Sequence, residues 1–233
     1  MIQKEEVSIE KRALPKYDGK LRAFALRVPE VIYKASGILV FGRRIKSLVF
    51  STDLSIIRNV NADAIIAVYP FTPQPIITQA LLLAADIPVF AGVGGGLTQG
   101  DRVVNLATFA ENQGAFGVVL NGPTSNESIT RVSEAVDIPV VVTVVRPDTD
   151  YAARIAAGAD IFNVSAASRT PEIVADIRRQ FPDMPIIATG GPTEESIRRT
   201  IEAGANAITW TPPTNGEVFR DIMAAYREGQ PHP

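Results

Sequence analysis

From Lys46 onward, short runs of apolar and often β-branched residues alternate with stretches in which apolar positions recur every three or four residues. The runs predict strands at Lys46–Ser51, Ala62–Tyr69, Ile87–Val93, Ala115–Asn121, Ile138–Val145, Asp160–Ser165, Pro185–Thr189 and Ala207–Thr211. The helical periodicity predicts helices at about Asp53–Val60, Gln74–Ala85, Asp101–Gln113, Asn126–Val136, Thr149–Ala157, Pro171–Phe181, Glu194–Ala203 and Gly216–Glu228. Each strand is followed by a helix, the signature of parallel strands joined by crossovers. IIAVY, GVVL and IPVVVTVV are apolar on successive residues, as expected of a sheet covered on both faces.

Odd and even strands open differently. Asp86-Ile87-Pro88-Val89, Asp137-Ile138-Pro139-Val140 and Asp183-Met184-Pro185-Ile186 introduce strands three, five and seven. Even strands are entered through Ala62-Asp63-Ala64, Gly114-Ala115-Phe116, Gly158-Ala159-Asp160 and Gly204-Ala205-Asn206, where three of the four carry a glycine suited to a left-handed helix C-cap. A two-strand period suits a closed (β/α)8 barrel, whose interior layers draw on alternate strands. The rival, a Rossmann-like open sheet, needs a glycine fingerprint after its first strand, where this chain has Ser51-Thr52-Asp53.

Composition narrows the class. With 233 residues, 46% of them hydrophobic, and no cysteine, the chain can bury a substantial core and holds no disulfide or thiolate metal site. The opening residues lack the apolar stretch of a secretion signal, and no apolar run approaches the roughly 18 residues of a membrane span. A cytoplasmic location is expected. Residues 1–46 carry 11 Lys and Arg against 5 Asp and Glu, whereas the remainder carries 12 against 20. That basic leader suits an acidic partner, but no aromatic interleaving or nucleic-acid motif accompanies it, which argues against nucleic acid. Residues 1–42 are expected to form an extension on a barrel of residues 43–233. Within it Leu21–Ala35 reads as a helix interrupted near Pro29, with Leu21, Phe24, Ala25 and Val28 on one face, covering the barrel bottom or an oligomer contact.

Ile186–Thr193 reads IIATGGPT and Ala203–Ile208 reads AGANAI. The pair resembles strands seven and eight of the ribulose-phosphate-binding barrel superfamily, which includes phosphosugar isomerases and epimerases, thiamine phosphate synthase and related aldolases. The resemblance implies an α/β TIM barrel and a ligand phosphate held between the last two loops. Gly190 and Gly191 would supply close backbone approach there, and Thr211, Thr214, Asn215 and Gly216 the opposite wall. Similar glycines occur in flavin-binding barrels. The stretch from Ile32-Tyr33-Lys34 through Gly92–Gly96 to Trp210–Pro213 also resembles a bacterial group labelled as hydrolases, a label that no motif here supports. Two departures stand out. Thr211-Pro212-Pro213-Thr214 replaces small residues after strand eight, so two N–H donors are missing. Strand six, IFNVS, lacks the lysine of Schiff-base aldolases.

Chemistry is expected at the C-terminal mouth, among strand ends and the loops after them. Asp53 suits proton transfer or hydroxyl orientation, or alternatively a helix N-cap. Asn163 is a polar residue in an apolar strand and needs a partner, which a ligand hydroxyl or carbonyl would provide; Ser165 faces the same way. Asn121 opens Asn-Gly-Pro, itself a turn signal. Arg146 suits a carboxylate or phosphate, with Asp148 its ion-pair partner or a cap. Tyr69 precedes the stiff PFTPQP loop as a donor or an aromatic wall. Gly94, Gly95 and Gly96 allow close ligand approach, as a lid hinged together with Gly100 or as a tight turn, and match no nucleotide fingerprint. The single histidine, His232, stands in the C-terminal tail and offers no catalytic triad or metal site.

The expected function is therefore an enzyme acting on a small phosphorylated metabolite, of isomerase, epimerase or lyase type, without metal or cofactor, with Asp53, Asn163, Arg146 and Asn121 as its working residues. A metabolite-sensing barrel without turnover and a flavin-binding oxidoreductase are the alternatives.

Overall fold

Eight parallel strands pair in chain order and close on themselves: β3 (Ser47–Phe50), β4 (Ala64–Ala67), β5 (Val89–Gly94), β6 (Gly117–Leu120), β7 (Val140–Val144), β8 (Ile161–Val164), β9 (Ile186–Thr189) and β10 (Ala207–Trp210), which returns to β3. This is a (β/α)8 barrel, as the sequence pattern predicts. The computed structural model describes residues 25–231, together with 13, 15, 17 and 19–21. Helices α1 (Leu54–Arg58), α2 (Pro75–Ala84), α3 (Asp101–Asn112), α4 (Asn126–Ala135), α5 (Tyr151–Ala156), α6 (Thr170–Gln180), α7 (Glu194–Glu202) and α8 (Asn215–Arg227) follow the strands in turn. Among the described residues no helix is long and apolar enough to cross a membrane.

The alternation between odd and even strands has a hydrogen-bonding cause. Asp63, just before β4, accepts from the N–H groups of Lys46 and Ser47 at 2.9 and 3.0 Å. Asp160 accepts from Val140 N–H at 2.8 Å, and Asn206 from Ile186 N–H at 2.9 Å. A polar side chain leading into each of β4, β8 and β10 thus satisfies the first donor of the strand before it, at the barrel end where the ladder would otherwise leave that donor bare. Pro88, Pro139 and Pro185 lack an N–H but give their carbonyls to Ile65, Val118 and Phe162 of the preceding strands at 2.8 to 3.0 Å. Gly114, Gly158 and Gly204 have positive φ (90°, 107° and 113°), the left-handed caps that their place after the helices demands.

Each strand shows one face to the barrel interior and the other to the helices. Leu48, Ala64, Ile66, Phe90, Val119, Val141, Ile161, Ile187 and Ala207 fill the interior. Val49, Ile65, Val118, Phe162 and Ile208 belong to the outer core beneath the helices.

The segment before the barrel departs from expectation in two ways. Among the described residues the helix expected over Leu21–Ala35 does not form. Leu26 instead bridges to Val60, its N–H bonds Asn59 O at 2.7 Å, and Val28 N–H bonds Asn61 Oδ1 at 2.7 Å, so the backbone is already committed across to the end of α1. Only after Pro29 does the chain coil, as a 3-10 turn over Glu30–Lys34 that buries Val31 and Ile32. Leu21 is exposed rather than part of an apolar face, and Phe24 and His232 lie outside the described residues. The second departure is an antiparallel hairpin, β1 (Ile38–Val40) and β2 (Arg43–Ile45), that the pattern did not predict. Its Ile38, Val40 and Ile45 join the interior cluster and stopper the N-terminal end of the barrel. Phe116 packs edge-on against Phe41 at 5.3 Å and Phe90 at 6.2 Å beside them.

Candidate functional site

With the N-terminal end closed, the interior opens only at the C-terminal ends of the strands. The inward positions change character there. Asn121, Thr143, Asn163, Ser165, Thr189, Thr209 and Thr211 line a cavity of about 270 Å³, and Phe50, Ile66, Val68 and Val145 complete it. The floor of the mouth is thus two-faced, aliphatic and aromatic on the β3–β4 side and, Val145 apart, hydroxyl- and amide-bearing on the β6–β10 side. Among the described residues none of its lining side chains is ionisable.

Four of these polar residues pair with each other. Asn163 Nδ2 donates to Thr143 Oγ1 at 3.3 Å, and Thr189 Oγ1 donates to Ser165 Oγ at 3.2 Å. Two atoms, Asn163 Oδ1 and Thr209 Oγ1, are buried without a partner. Their residues are 8% and 5% exposed, and an unpaired polar atom at that depth is costly, of order 1–3 kcal/mol.

Two further cavities adjoin the floor. One of about 310 Å³ lies under the proline-rich loop after β4, walled by Tyr69 and Phe71 and by Gly92, Gly94 and Gly96, and it shares Val68 and Asn121 with the floor. Tyr69 fills the role of an aromatic wall, and its hydroxyl accepts from Gln74 N–H at 2.8 Å. The other, about 580 Å³, lies between the loops after β9 and β10 and shares Thr189, Thr209 and Thr211.

The candidates drawn from the sequence divide sharply. Asn163, Asn121 and Ser165 come together on the floor. Gly94 and Gly96 face the neighbouring cavity, but Gly95 turns toward buried Thr124. The glycine loop is tied as a turn, with Gly95 N–H bonding Thr98 O at 2.8 Å and Gly94 O accepting from Asn121 N–H at 2.9 Å. Asp53 lines none of these cavities. It caps α1, with Oδ1 accepting from Ser55 N–H, Ser55 Oγ and Ile56 N–H, while Oδ2 accepts from Asn215 Nδ2 at 2.5 Å. The Ser55 hydroxyl, followed by the backbone donors, holds its carboxyl below the usual aspartate range. Arg146 stands exposed on the rim in a bidentate pair with Asp148, and Asp150 rather than Asp148 caps α5.

The loops at β9 and β10 are less open to an anion than the resemblance implies. Gly190 is a packing residue, since a Cβ there would meet Ile197 and Ile208 at 2.7 and 2.8 Å. Gly191 has φ +81° and lines the 580 Å³ cavity with Thr211, but that cavity also contains Glu194 and has no cation in its lining. Thr193 and Ser196 cap each other at the start of α7. Thr214 and Glu217 do the same for α8, placing a carboxylate where an anion would sit. Asn215 is engaged with Asp53 and Ser55, and Gly216 is open to solvent.

Thr143, Thr189 and Thr209 escaped the sequence reading. A threonine in a strand is ordinary, and only its inward parity near the strand end marks it as a mouth residue. Conversely, all six lysines (Lys4, Lys11, Lys16, Lys20, Lys34 and Lys46) precede β3. Lys46 Nζ bonds Tyr33 O at 2.6 Å at the closed end of the barrel. Borohydride added with an aldehyde or ketone should therefore leave the protein mass unchanged, and a lysine adduct dependent on the mouth would refute this.

No protein-family profile and no curated protein sequence matches the chain. Solved structures match its fold. A phosphonopyruvate hydrolase in complex with oxalate and Mg²⁺ is 14% identical with a TM-score of 0.59, over 90% of this chain and 87% of that one. A phosphoenolpyruvate phosphomutase from Streptomyces platensis subsp. rosaceus is 17% identical with a TM-score of 0.58, over 79% and 83%. A thiamine phosphate pyrophosphorylase from Pyrococcus furiosus is 17% identical with a TM-score of 0.55, over 71% and 84%. The residues of the mouth do not fit a carboxylate-held Mg²⁺: the floor's donors are neutral, and among the described residues no three His, Asp or Glu converge on one point. What the chain shares with these proteins is the (β/α)8 barrel.

Proposed function

We propose that the chain is an enzyme of isomerase, epimerase or lyase type that acts on a small phosphorylated metabolite at the C-terminal mouth of the barrel. The observation that carries this reading is Asn163, a strand residue whose amide is buried at the open end with one side unpaired, a cost that a ligand would remove. The resemblance at β9 and β10 and the phosphorylated compounds named for the fold neighbours support the substrate class. In this reading Asn163 polarises or orients a substrate oxygen, with Asn121 and Ser165 beside it. Asp53 fixes the α1–α8 rim through Asn215 rather than carrying protons, and Arg146 exchanges Asp148 for an anionic substrate group. The phosphate rests shallowly near Gly191 and Thr211, weakened by Glu194.

Replacing Asn163 with leucine tests the reading, because the substitution removes an unpaired amide at similar volume. The variant should melt at or slightly above the wild-type temperature. It should also lose at least about tenfold in affinity or turnover for any phosphosugar that stabilises the wild type, a loss of about 1.4 kcal/mol. A clear fall in melting temperature with unchanged ligand response would make Asn163 a structural residue and sink the proposal.

The shallow phosphate subsite has its own test. Sulfate should stabilise the wild type more than Gly216→Asp, which has room for its Cβ and adds a carboxylate at the start of α8. Equal shifts would remove the subsite from the proposal. A second reading, metabolite sensing without turnover, is favoured by the floor's lack of any ionisable side chain. Ligand-induced stabilisation with no product formed from any phosphosugar would select it. A yellow preparation with extractable flavin would select the oxidoreductase reading instead.

A further inference from the structure

Two of the floor's polar atoms are buried without a partner, and they set what a ligand must bring to the deepest part of the floor. The Asn163 amide N–H is spent on Thr143 and the Thr189 hydroxyl on Ser165. The two buried atoms left unpaired are one acceptor, Asn163 Oδ1, and one hydroxyl that can give or take a proton, Thr209 Oγ1. An alcohol group complements that pair, donating to Asn163 and accepting from Thr209. A carboxylate does not, because it brings only acceptors to Asn163 Oδ1.

Charge points the same way. Phe50, Ile66 and Val68 form the opposite wall, and among the described residues no Lys or Arg lines the cavity. The cations of the adjoining rim are engaged: Arg146 is exposed and paired with Asp148, and Arg154 gives its N–H groups to the carbonyls of Thr124 and Gly122 and to Asn126 Oδ1. An anion on the floor would be desolvated against hydrocarbon with nothing to compensate it. The compounds named for two of the fold neighbours, phosphonopyruvate with oxalate and phosphoenolpyruvate, are all carboxylates.

We infer that the floor admits the uncharged, hydroxyl-bearing end of its ligand and rejects a carboxylate there, with Asn163 and Thr209 as the specificity-determining pair. The inference rests on the proposed reading of the mouth as a metabolite site, and it narrows the ligand to polyol- or sugar-like phosphates whose phosphate stays outside the floor.

Matched pairs that differ only at the end remote from the phosphate test it: glycerol phosphate against phosphoglycerate, erythritol phosphate against phosphoerythronate, and ribitol phosphate against phosphoribonate. Calorimetric titration should show at least one polyol phosphate binding about tenfold or more tightly than its acid partner. Asn163→Leu and Thr209→Val, both close to isosteric, should each weaken that polyol about tenfold and leave the acid unchanged. Oxalate with Mg²⁺ should not bind. An acid that binds as tightly as its polyol, and loses affinity in Asn163→Leu, would overturn the inference while leaving the mouth as the ligand site. Polyol preference that persists in both variants would place the discrimination elsewhere and overturn it too. Failure of every probe to bind in an Asn163-dependent way would overturn the reading of the mouth and the inference with it.

Discussion

A chain lacking residues 1–42 is expected to lose its cooperative fold and accumulate in the insoluble fraction. The deletion removes Val28, Val31, Ile32, Ala35, Ile38 and Val40, all between 0% and 8% exposed. At about 1.5–3 kcal/mol for each buried larger aliphatic side chain, the loss approaches 10 kcal/mol, comparable to the whole stability of an ordinary domain at about 5–15 kcal/mol. The damage extends beyond the deleted residues. Removing β1 leaves Ile45, Leu48, Phe90 and Phe116 uncovered at the bottom of the barrel, the kind of exposed apolar patch that aggregates. Soluble expression and thermal melting by circular dichroism would check this. A soluble truncated protein melting within a few degrees of the full chain would show that the barrel closes without its stopper, and would return the segment to the role of a partner-binding leader.

What the sequence exposes and what it hides follow from the physics of each signal. The eight strands were legible because both faces are covered, which makes the runs continuously apolar, and because their ends are punctuated by residues with fixed backbone duties. Asp63, Asp160 and Asn206 accept from strand N–H groups, and the prolines and glycines set the turns. Those duties repeat every second strand, so the pattern carried closure as well as class. The hairpin was missed although Ile38, Val40 and Ile45 alternate with outward residues and Gly42 sits at the turn. Its strands are only three residues each, too short to separate from a loop, and its turn uses Phe41 at φ +44° in place of the expected Asn or Gly.

The mouth was legible only in part, for a related reason. Asn163 is out of place in a strand and announces itself, whereas Thr143, Thr189 and Thr209 look like ordinary strand residues until register shows that they face inward. Asp53 misleads in the opposite direction. An aspartate after the first barrel strand has the right address for catalysis, but the address is also a helix start, and four donors on its carboxylate show local helix chemistry in possession. Arg146 and Asp148 likewise satisfy each other across two residues, so Arg146 turns no free charge toward the floor. Once these pairs are assigned, the floor that remains is neutral.

The glycine loop after β5 gives the second large expected effect. Gly95→Ala should lower stability by about 3 kcal/mol or more, from a strained backbone worth about 1–3 kcal/mol and overpacking worth a similar amount. Gly95 has φ +97°, and a Cβ on it would stand 1.7 Å from Thr124 Oγ1 and 3.0 Å from Asn121 N. Thr124 has little room to yield. It is 1% exposed, its hydroxyl donates to Asn121 O at 2.7 Å, and its own carbonyl accepts from Arg154. For a chain of this size the melting temperature should fall by roughly 6–12 °C. Thr124→Ala removes the closest atom but leaves Thr124 Cβ at 3.0 Å and the strained φ, so the double variant should recover only part of the loss, its total falling short of the sum of the two single losses. Gly96→Ala is the control, because the nearest atom to its Cβ is Asn121 Nδ2 at 3.7 Å and its φ is not positive, and it should melt within about 2 °C of the wild type. Should Gly95→Ala behave like Gly96→Ala, the loop can move away from Thr124 without cost. The glycines would then be hinges of a closing lid, and the cavity under the proline-rich loop would be a gated entrance instead of a fixed wall.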